Sequence, residues 1–506
     1  MPQKISDLLL SISSTLALCD ESHDDHVTVK SCVTKCREAG FITWTYAASL
    51  PFLATKLPPE KQNAVSAFLK VASILSALGS DFQTNAGNDL VDAMVRAMDR
   101  LPPGSQLLTT NAEPLSARGI LVADYLDAQL PPRPIEFIDL LAQQDEIRND
   151  IELRIDRTIK SGRFILGPEV AELEGALSQF CGASHSIAVA SGTEALLIAL
   201  MALEIGPGDE VITSPFSFVA TAEVIALLGA TPVFVDIDPS TYNITAATIS
   251  AAITKRTKAI MPVSLFGQAA DFESINQVAA SANIPVIEDA AQSFGANYRG
   301  QMSGHLSTIG CTSFFPSKPL GGYGDGGAIF TDDPNLAERM RQIHVHGQSR
   351  RYYSTSIGLA GRMDTLQAAI LLAKLRVFPD EIRNRQLVAA RYADALLDIP
   401  GLVLPTTTIG NTHVYAQYTV EVSNRDGVSR LLAAAGVPTS VHYPAMIYSQ
   451  PAYARFAPAH PLPHAERAAQ YVLSLPFHPR LKHQDQIKVA KSLKNAVQQL
   501  NIDKAA

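Results

Sequence analysis

Cysteine is scarce. Cys19, Cys32, Cys36, Cys181 and Cys311 are the only five in 506 residues. They form no even, closely spaced framework, which excludes a disulfide scaffold and fits a reducing, cytoplasmic setting. A charge of one sign is missing too: 41 basic against 49 acidic side chains leave a formal −8. That imbalance is too small for a binder of nucleic acid or of anionic membranes by bulk attraction, so a phosphorylated ligand would need local donors. Long apolar runs are absent as well. The uncharged stretch 39–55 is short for a bilayer span and contains Pro51, while 399–420 and 431–454 are interrupted by prolines and polar residues. Lys4 and Asp7 precede only a short apolar run without a small-residue cleavage signature, so the start does not read as a signal peptide. What is present is globular: 47% hydrophobic and 18% charged residues, in a chain long enough for two or three domains with real cores.

Apolar residues recur at helical spacing over 5–18, 27–50, 60–78, 89–101 and 117–130. Pro58-Pro59, Gly79, Pro102-Pro103-Gly104 and Pro131-Pro132-Arg133-Pro134 punctuate them. The last cluster disfavours helix and reads as an extended linker, so 1–133 is expected to be a helical extension, of unassigned role. Cys32 and Cys36 share a helix there without a second pair of ligands, which argues against zinc. From Ile135 the texture changes. Strand-length runs at 185–190, 210–213, 232–236, 259–265, 285–288, 311–315 and 327–331 alternate with helical patterns at 193–203, 218–228 and 271–281. This predicts βα units around a mainly parallel central sheet in a large α/β domain, 134–378. A helix over 362–375 leads to a smaller α+β domain, 379–506, with strands at 415–422 and 439–442.

Polar clusters fall at strand ends, where open parallel sheets place their ligands. Ser191-Gly192-Thr193 opens a helix, and by itself suits either an anion or an ordinary N-cap. Asp289, in Glu288-Asp289-Ala290-Ala291-Gln292, is an acid at a buried strand end and needs a partner: a protonated ring nitrogen or a basic side chain. Lys318 lies between Phe314-Phe315 and the glycine-rich run Gly321 to Gly327. A confined lysine of this kind can lose its proton and form an imine with an aldehyde. In combination, phosphate turn, acid and lysine are what a pyridoxal phosphate site requires. The glycine run lacks the spacing of a dinucleotide or Walker fingerprint, and His344 and His346 lack a third metal ligand.

A set of further stretches occurs in the same order. They include Phe164-Ile165-Leu166-Gly167-Pro168-Glu169, Ser191-Gly192-Thr193-Glu194-Ala195-Leu196, Gly206-Pro207-Gly208-Asp209-Glu210-Val211-Ile212 and Gly229-Ala230-Thr231-Pro232-Val233-Phe234-Val235-Asp236. With the Asp289 and Lys318 segments, the chain from about 135 to about 480 resembles the DegT/DnrJ/StrS sugar aminotransferases. Val263-Ser264-Leu265-Phe266-Gly267-Gln268, Ser317-Lys318-Pro319-Leu320-Gly321 and Met363-Asp364-Thr365-Leu366-Gln367-Ala368-Ala369 look closest to the branch that aminates UDP-2-acetamido-2-deoxy-3-oxo-glucuronate for surface polysaccharides. The resemblance implies an aspartate-aminotransferase-like (fold type I) homodimer using pyridoxal 5′-phosphate, L-glutamate as donor and a UDP- or dTDP-keto-sugar as acceptor. It implies Lys318 as imine former and proton carrier, Asp289 as partner of the pyridinium nitrogen, and Gln292 beside the ring hydroxyl. It implies Phe218 as the stacking aromatic and Gly192, Thr193 and Ser313 at the phosphate. Arg362, His442 and Tyr443 are implied on the sugar side. Where the family reads Asn-Ser-Arg-(Leu/Met)-Asp, this chain has Ala360-Gly361-Arg362-Met363-Asp364, which removes an expected phosphate donor to the neighbouring subunit. The rival readings are a 4-keto-sugar aminotransferase, a sugar 3-dehydratase (which tends to carry histidine where Lys318 stands) and a catalytically weak, cofactor-binding regulatory protein.

Overall fold

The structure is a computed structural model and describes residues 134–505 apart from Asp145. The helical expectations for 1–133, and the reading of Cys32 and Cys36, lie outside the described residues.

Seven strands make the central layer: β1 His185–Val189, β2 Glu210–Thr213, β3 Thr231–Phe234, β4 Thr257–Met261, β5 Ile287–Asp289, β6 Ile309–Ser313 and β7 Gly327–Thr331. β3, β2 and β4 pair in parallel, as do β5 and β6. Parallel bridges from Ile260 to Val286 and from Val263 to Asp289 join the two sets. The full order is β3-β2-β4-β5-β6-β7-β1, with β7 antiparallel to both neighbours. The reason is local: residues 314–326 contain no helix, and without a crossover the chain can only return antiparallel.

Alternate residues on the strands serve opposite faces. Ile187, Val189 and Ile329 meet Ile198 and Leu200 of a helix on one side. Ala188, Ala328 and Phe330 meet Leu173, Leu177, Leu371 and Phe378 on the other. The helices concerned are α1 Pro168–Cys181, α2 Gly192–Ala202, α3 Ala220–Leu227 (beside β2 and β3) and α4 Thr365–Leu396. α4 differs from expectation. It runs 32 residues, through Pro379, rather than ending at 375. An interior proline costs about 3 kcal/mol, but Phe378, Val388, Ala389 and Tyr392 are all buried around and beyond it, and that packing holds the helix together.

The last part is built on an antiparallel sheet, β8 Leu402–Val403, β9 Tyr418–Val422 and β10 Val472–Leu475. α5 Arg425–Ala434 and α6 His483–Ala505 pack in the same core, with Tyr392, Tyr418, Leu432, Val489 and Leu493. The strand expected at 439–442 is reduced to one bridge, Ser440 to Ser474. The real pairing partner, β10, went unpredicted. No helix among the described residues is long and apolar enough to cross a membrane.

Candidate active site

The site assembles at the ends of β5 and β6. Consecutive residues of β5 point to opposite faces, so Glu288 and Asp289 separate. Glu288 turns into the core and receives the Ser303 hydroxyl (2.7 Å) and the backbone N–H groups of Gly304 (2.9 Å) and Leu306 (3.0 Å). Asp289 turns to the rim, where the Ala291 N–H donates to its Oδ1 at 3.1 Å. The Thr221 hydroxyl also hydrogen-bonds this carboxylate. Burial raises the Asp289 pKa, while those two donors and the charge of Lys318 oppose the shift.

Lys318 follows β6. Burial holds its amine below the ordinary lysine value, and the Asp289 carboxylate pulls it back up. The two groups therefore act on one another across one site. The loop that carries the lysine is tightly folded: the Phe314 N–H donates to Gly326 (2.8 Å), Lys318 N–H to Phe315 (2.8 Å) and Gly322 N–H to Phe314 (2.7 Å). Gly321 is required there, since a Cβ would lie 2.3 Å from the Pro316 carbonyl oxygen. From α4, Gln367 Oε1 accepts the Tyr323 N–H at 3.0 Å and so ties the loop to a long helix.

On the neighbouring strand end, Ser191 caps α2 by accepting the Glu194 N–H at 3.1 Å. A Cβ on Gly192 would come within 2.5 Å of Ser313 Cβ, so only glycine lets the helix start press against the end of β6. Gly192 and Ser313 therefore pack directly against one another, and the first N–H groups of α2, those of Gly192 and Thr193 among them, have no partner within the helix. Gln292 is buried and spoken for on both ends: Oε1 accepts the Phe266 N–H (2.9 Å) and Nε2 donates to Tyr443 Oη (3.1 Å). Burial, seconded by the Asp289 charge, pushes the Tyr443 phenol up. His442 Nδ1 lies 2.9 Å from Ser474 Oγ. Burial, seconded by the Lys318 charge, lowers its pKa to about 4. Phe218 sits just before α3, 55% exposed and three residues ahead of Thr221. Its ring is free of the core.

The structure brings Lys318, Asp289, Gln292, His442 and Tyr443 together, and Gly192 and Ser313 beside Lys318's strand. Arg362 reaches the rim through a bridge to Val189 at the end of β1, and its charge acts on His344 rather than on the Lys318 group. Ala360 is exposed beyond it. Among the described residues no cluster of His, Cys, Asp and Glu is fit to hold a metal. Sequence reasoning missed Thr221, Gln367 and Ser474. Thr221 carried a signal, one helical turn past Phe218; the other two meet the site only through tertiary contacts.

A lysine amine and a buried acid at neighbouring strand ends, in an α/β fold of this order, suit a class of cofactor-dependent group-transfer enzymes. Residues 145–494 match the model of the DegT/DnrJ/EryC1/StrS aminotransferase family. The chain is similar to the UDP-2-acetamido-2-deoxy-3-oxo-D-glucuronate aminotransferase of Pseudomonas aeruginosa, at 58% identity over 347 residues, covering 69% of this chain and 96% of that protein. Among solved structures, a DegT DnrJ EryC1 StrS aminotransferase from Brucella abortus superposes with a TM-score of 0.70 at 43% identity, covering 72% of this chain and 99% of that one. The ntda protein of Bacillus subtilis, solved with bound cofactor PMP, gives a TM-score of 0.69 at 31% identity, covering 73% and 86%. The chain belongs to the DegT/DnrJ/EryC1/StrS aminotransferase family.

Proposed function

We propose that the protein is a pyridoxal 5′-phosphate-dependent enzyme that transfers the amino group of L-glutamate to the 3-oxo carbon of UDP-2-acetamido-2-deoxy-3-oxo-glucuronate, for surface polysaccharide synthesis. The observation that carries this reading is the placement of Asp289 at the end of β5 opposite Cys311 of the parallel strand β6, with Lys318 just beyond that strand and close enough for the two charges to act on one another, in a chain 58% identical to an enzyme named for that reaction. The residues suit the cofactor: the start of α2 presents helix N–H groups of Gly192 and Thr193 without an intrahelical partner, beside Ser313, as an anion requires, and Asp289 keeps acceptor capacity for a ring N–H.

Bound there, pyridoxal phosphate supplies an aldehyde that carries the amino group and a ring that withdraws electrons from the reacting carbon. The chain's part is to hold and to move protons. Lys318 Nζ takes the α-proton of glutamate and returns a proton to the acceptor sugar. Its confined setting keeps the amine closer to the neutral form that such work needs. Asp289 keeps a proton on the ring nitrogen, Gln292 holds the ring hydroxyl side, and Phe218 covers a ring face. Gly192, Thr193 and Ser313 donate to the phosphate. Arg362, His442 and Tyr443 line the sugar side. The chain divides into an extension, 1–133, a cofactor domain, 134–378, and a small domain, 379–506. It works as a homodimer in the cytoplasm. The test is to incubate the full chain with glutamate and a panel of oxidised UDP- and dTDP-sugars and to read product masses. A gain of one amine on the 3-oxo uronate, lost in Lys318→Ala, is expected. Amination confined to 4-keto sugars, or no visible cofactor absorbance after addition of pyridoxal phosphate, overturns the reading.

A further inference from the structure

The small sheet contributes more than packing. On adjacent strands Thr419 and Ser474 are direct cross-strand partners, both buried, at 1% and 0% exposure. Their hydroxyl oxygens are 2.9 Å apart, and Ser474 Oγ lies 2.9 Å from His442 Nδ1. The backbone fixes the same geometry: Ser440 N–H donates to Ser474 O at 3.2 Å and Ser474 N–H to Ser440 O at 2.8 Å, two residues ahead of the histidine. Around the imidazole stand the rings of Phe137, at 6.1 Å, and Tyr443, edge-on at 5.8 Å. With Nδ1 engaged and the ring packed, Nε2 is the nitrogen left for the site, within the field of Lys318.

We propose that Ser474, itself held by Thr419, is a positioning residue that fixes the ring orientation and the single tautomer with which His442 presents Nε2 to the Lys318 amine. A neutral imidazole carries one donor and one acceptor nitrogen, and the bond made by one nitrogen decides the role of the other. The hydroxyl pair could run either way, but only the run from Thr419 O–H to Ser474 Oγ and from Ser474 O–H to His442 Nδ1 gives both buried hydroxyl protons an acceptor, which makes Nδ1 the acceptor and leaves the imidazole proton on Nε2. This deepens the proposed function and rests on it for the consequence in catalysis, though not for the geometry.

The experiment uses the full chain with histidine ring nitrogens labelled by ¹⁵N, the His442 signals being assigned by their loss in His442→Gln. Wild-type protein is expected to show two well-separated His442 ring shifts, those of one neutral tautomer. Ser474→Ala, which removes only an oxygen, is expected to draw the two shifts together and to lower kcat about tenfold with the KM for glutamate changed less than about twofold, as a displaced group would. Thr419→Val, which leaves Ser474 in place, is expected to move both readouts the same way by less. His442 shifts identical in Ser474→Ala and wild type overturn the proposal, as do shifts that move with kcat unaffected. If wild-type protein transfers no amine from glutamate, the reaction assigned above fails, and the ring shifts still decide whether Ser474 positions His442.

Discussion

Strand β5 places two carboxylates one residue apart in opposite surroundings. Glu288 is 0% exposed and Asp289 is 6% exposed, so burial does not distinguish them. Hydrogen bonding does. Glu288 takes three donors, all from its own fold. Asp289 has the Ala291 N–H and the Thr221 hydroxyl, and the charge of Lys318 nearby. A saturated buried acid is structural, whereas one with spare acceptor capacity and an opposing amine is equipped to receive a ligand group.

Substitutions sharpen that contrast. The largest effect is expected at Lys318→Ala, where amine transfer should fall at least ~10³-fold with the fold intact, because the proposed proton carrier is gone; product mass and circular dichroism read the two halves. Asp289→Asn should cost about 10²-fold in kcat and leave thermal stability near wild type. Retained activity there would erase the distinction between the two acids. Glu288→Gln is expected to do the reverse, keeping kcat within about threefold while costing about 1–3 kcal/mol in denaturant unfolding, since an amide must set an N–H against one of the three donors.

Glu288 also predicts a pH signature. Burial lifts its pKa from 4.5 to about 7, so the folded chain holds a proton that the unfolded chain has released. The stability contributed is full below pH 4.5 and is lost as pH rises through 7. The unfolding midpoint of wild type relative to Glu288→Gln should therefore decline between these limits, and a flat difference would place the acid outside a low-dielectric site. A gain rather than a loss is expected at Ala360→Asn on the exposed rim. The proposed cross-subunit hydrogen bond to the phosphate would be worth about 1.5–3 kcal/mol, so fluorescence titration with pyridoxal phosphate should show at least roughly tenfold tighter binding.

Much of the large domain was legible because its signals are local. Buried parallel strands read as short apolar runs, and β1, β2 and β7 fall within a residue of where the pattern puts them. The strand-end positions of Gly192, Asp289 and Lys318 were legible because each lies next to an apolar run of strand length. Two features of the later part were not. Val472–Leu475 has no alternation to set it apart from a helix end, and it becomes a strand only because Tyr418–Val422 offers it a ladder. Pro379 marked a helix end that burial of Phe378 and Tyr392 overrides.

By itself the sequence determined the alternation of strand and helix, the family motifs, and the chemistry available at residues 192, 289 and 318, since each depends on neighbours along the chain. Only the tertiary structure decided which acid of the pair faces the lysine, that Thr221 shares its load, and that a serine from residue 474 steadies His442. Those contacts join segments separated by 29 residues (Asp289 to Lys318) or more, and the free energy of such a contact exists only once packing has brought both partners out of water.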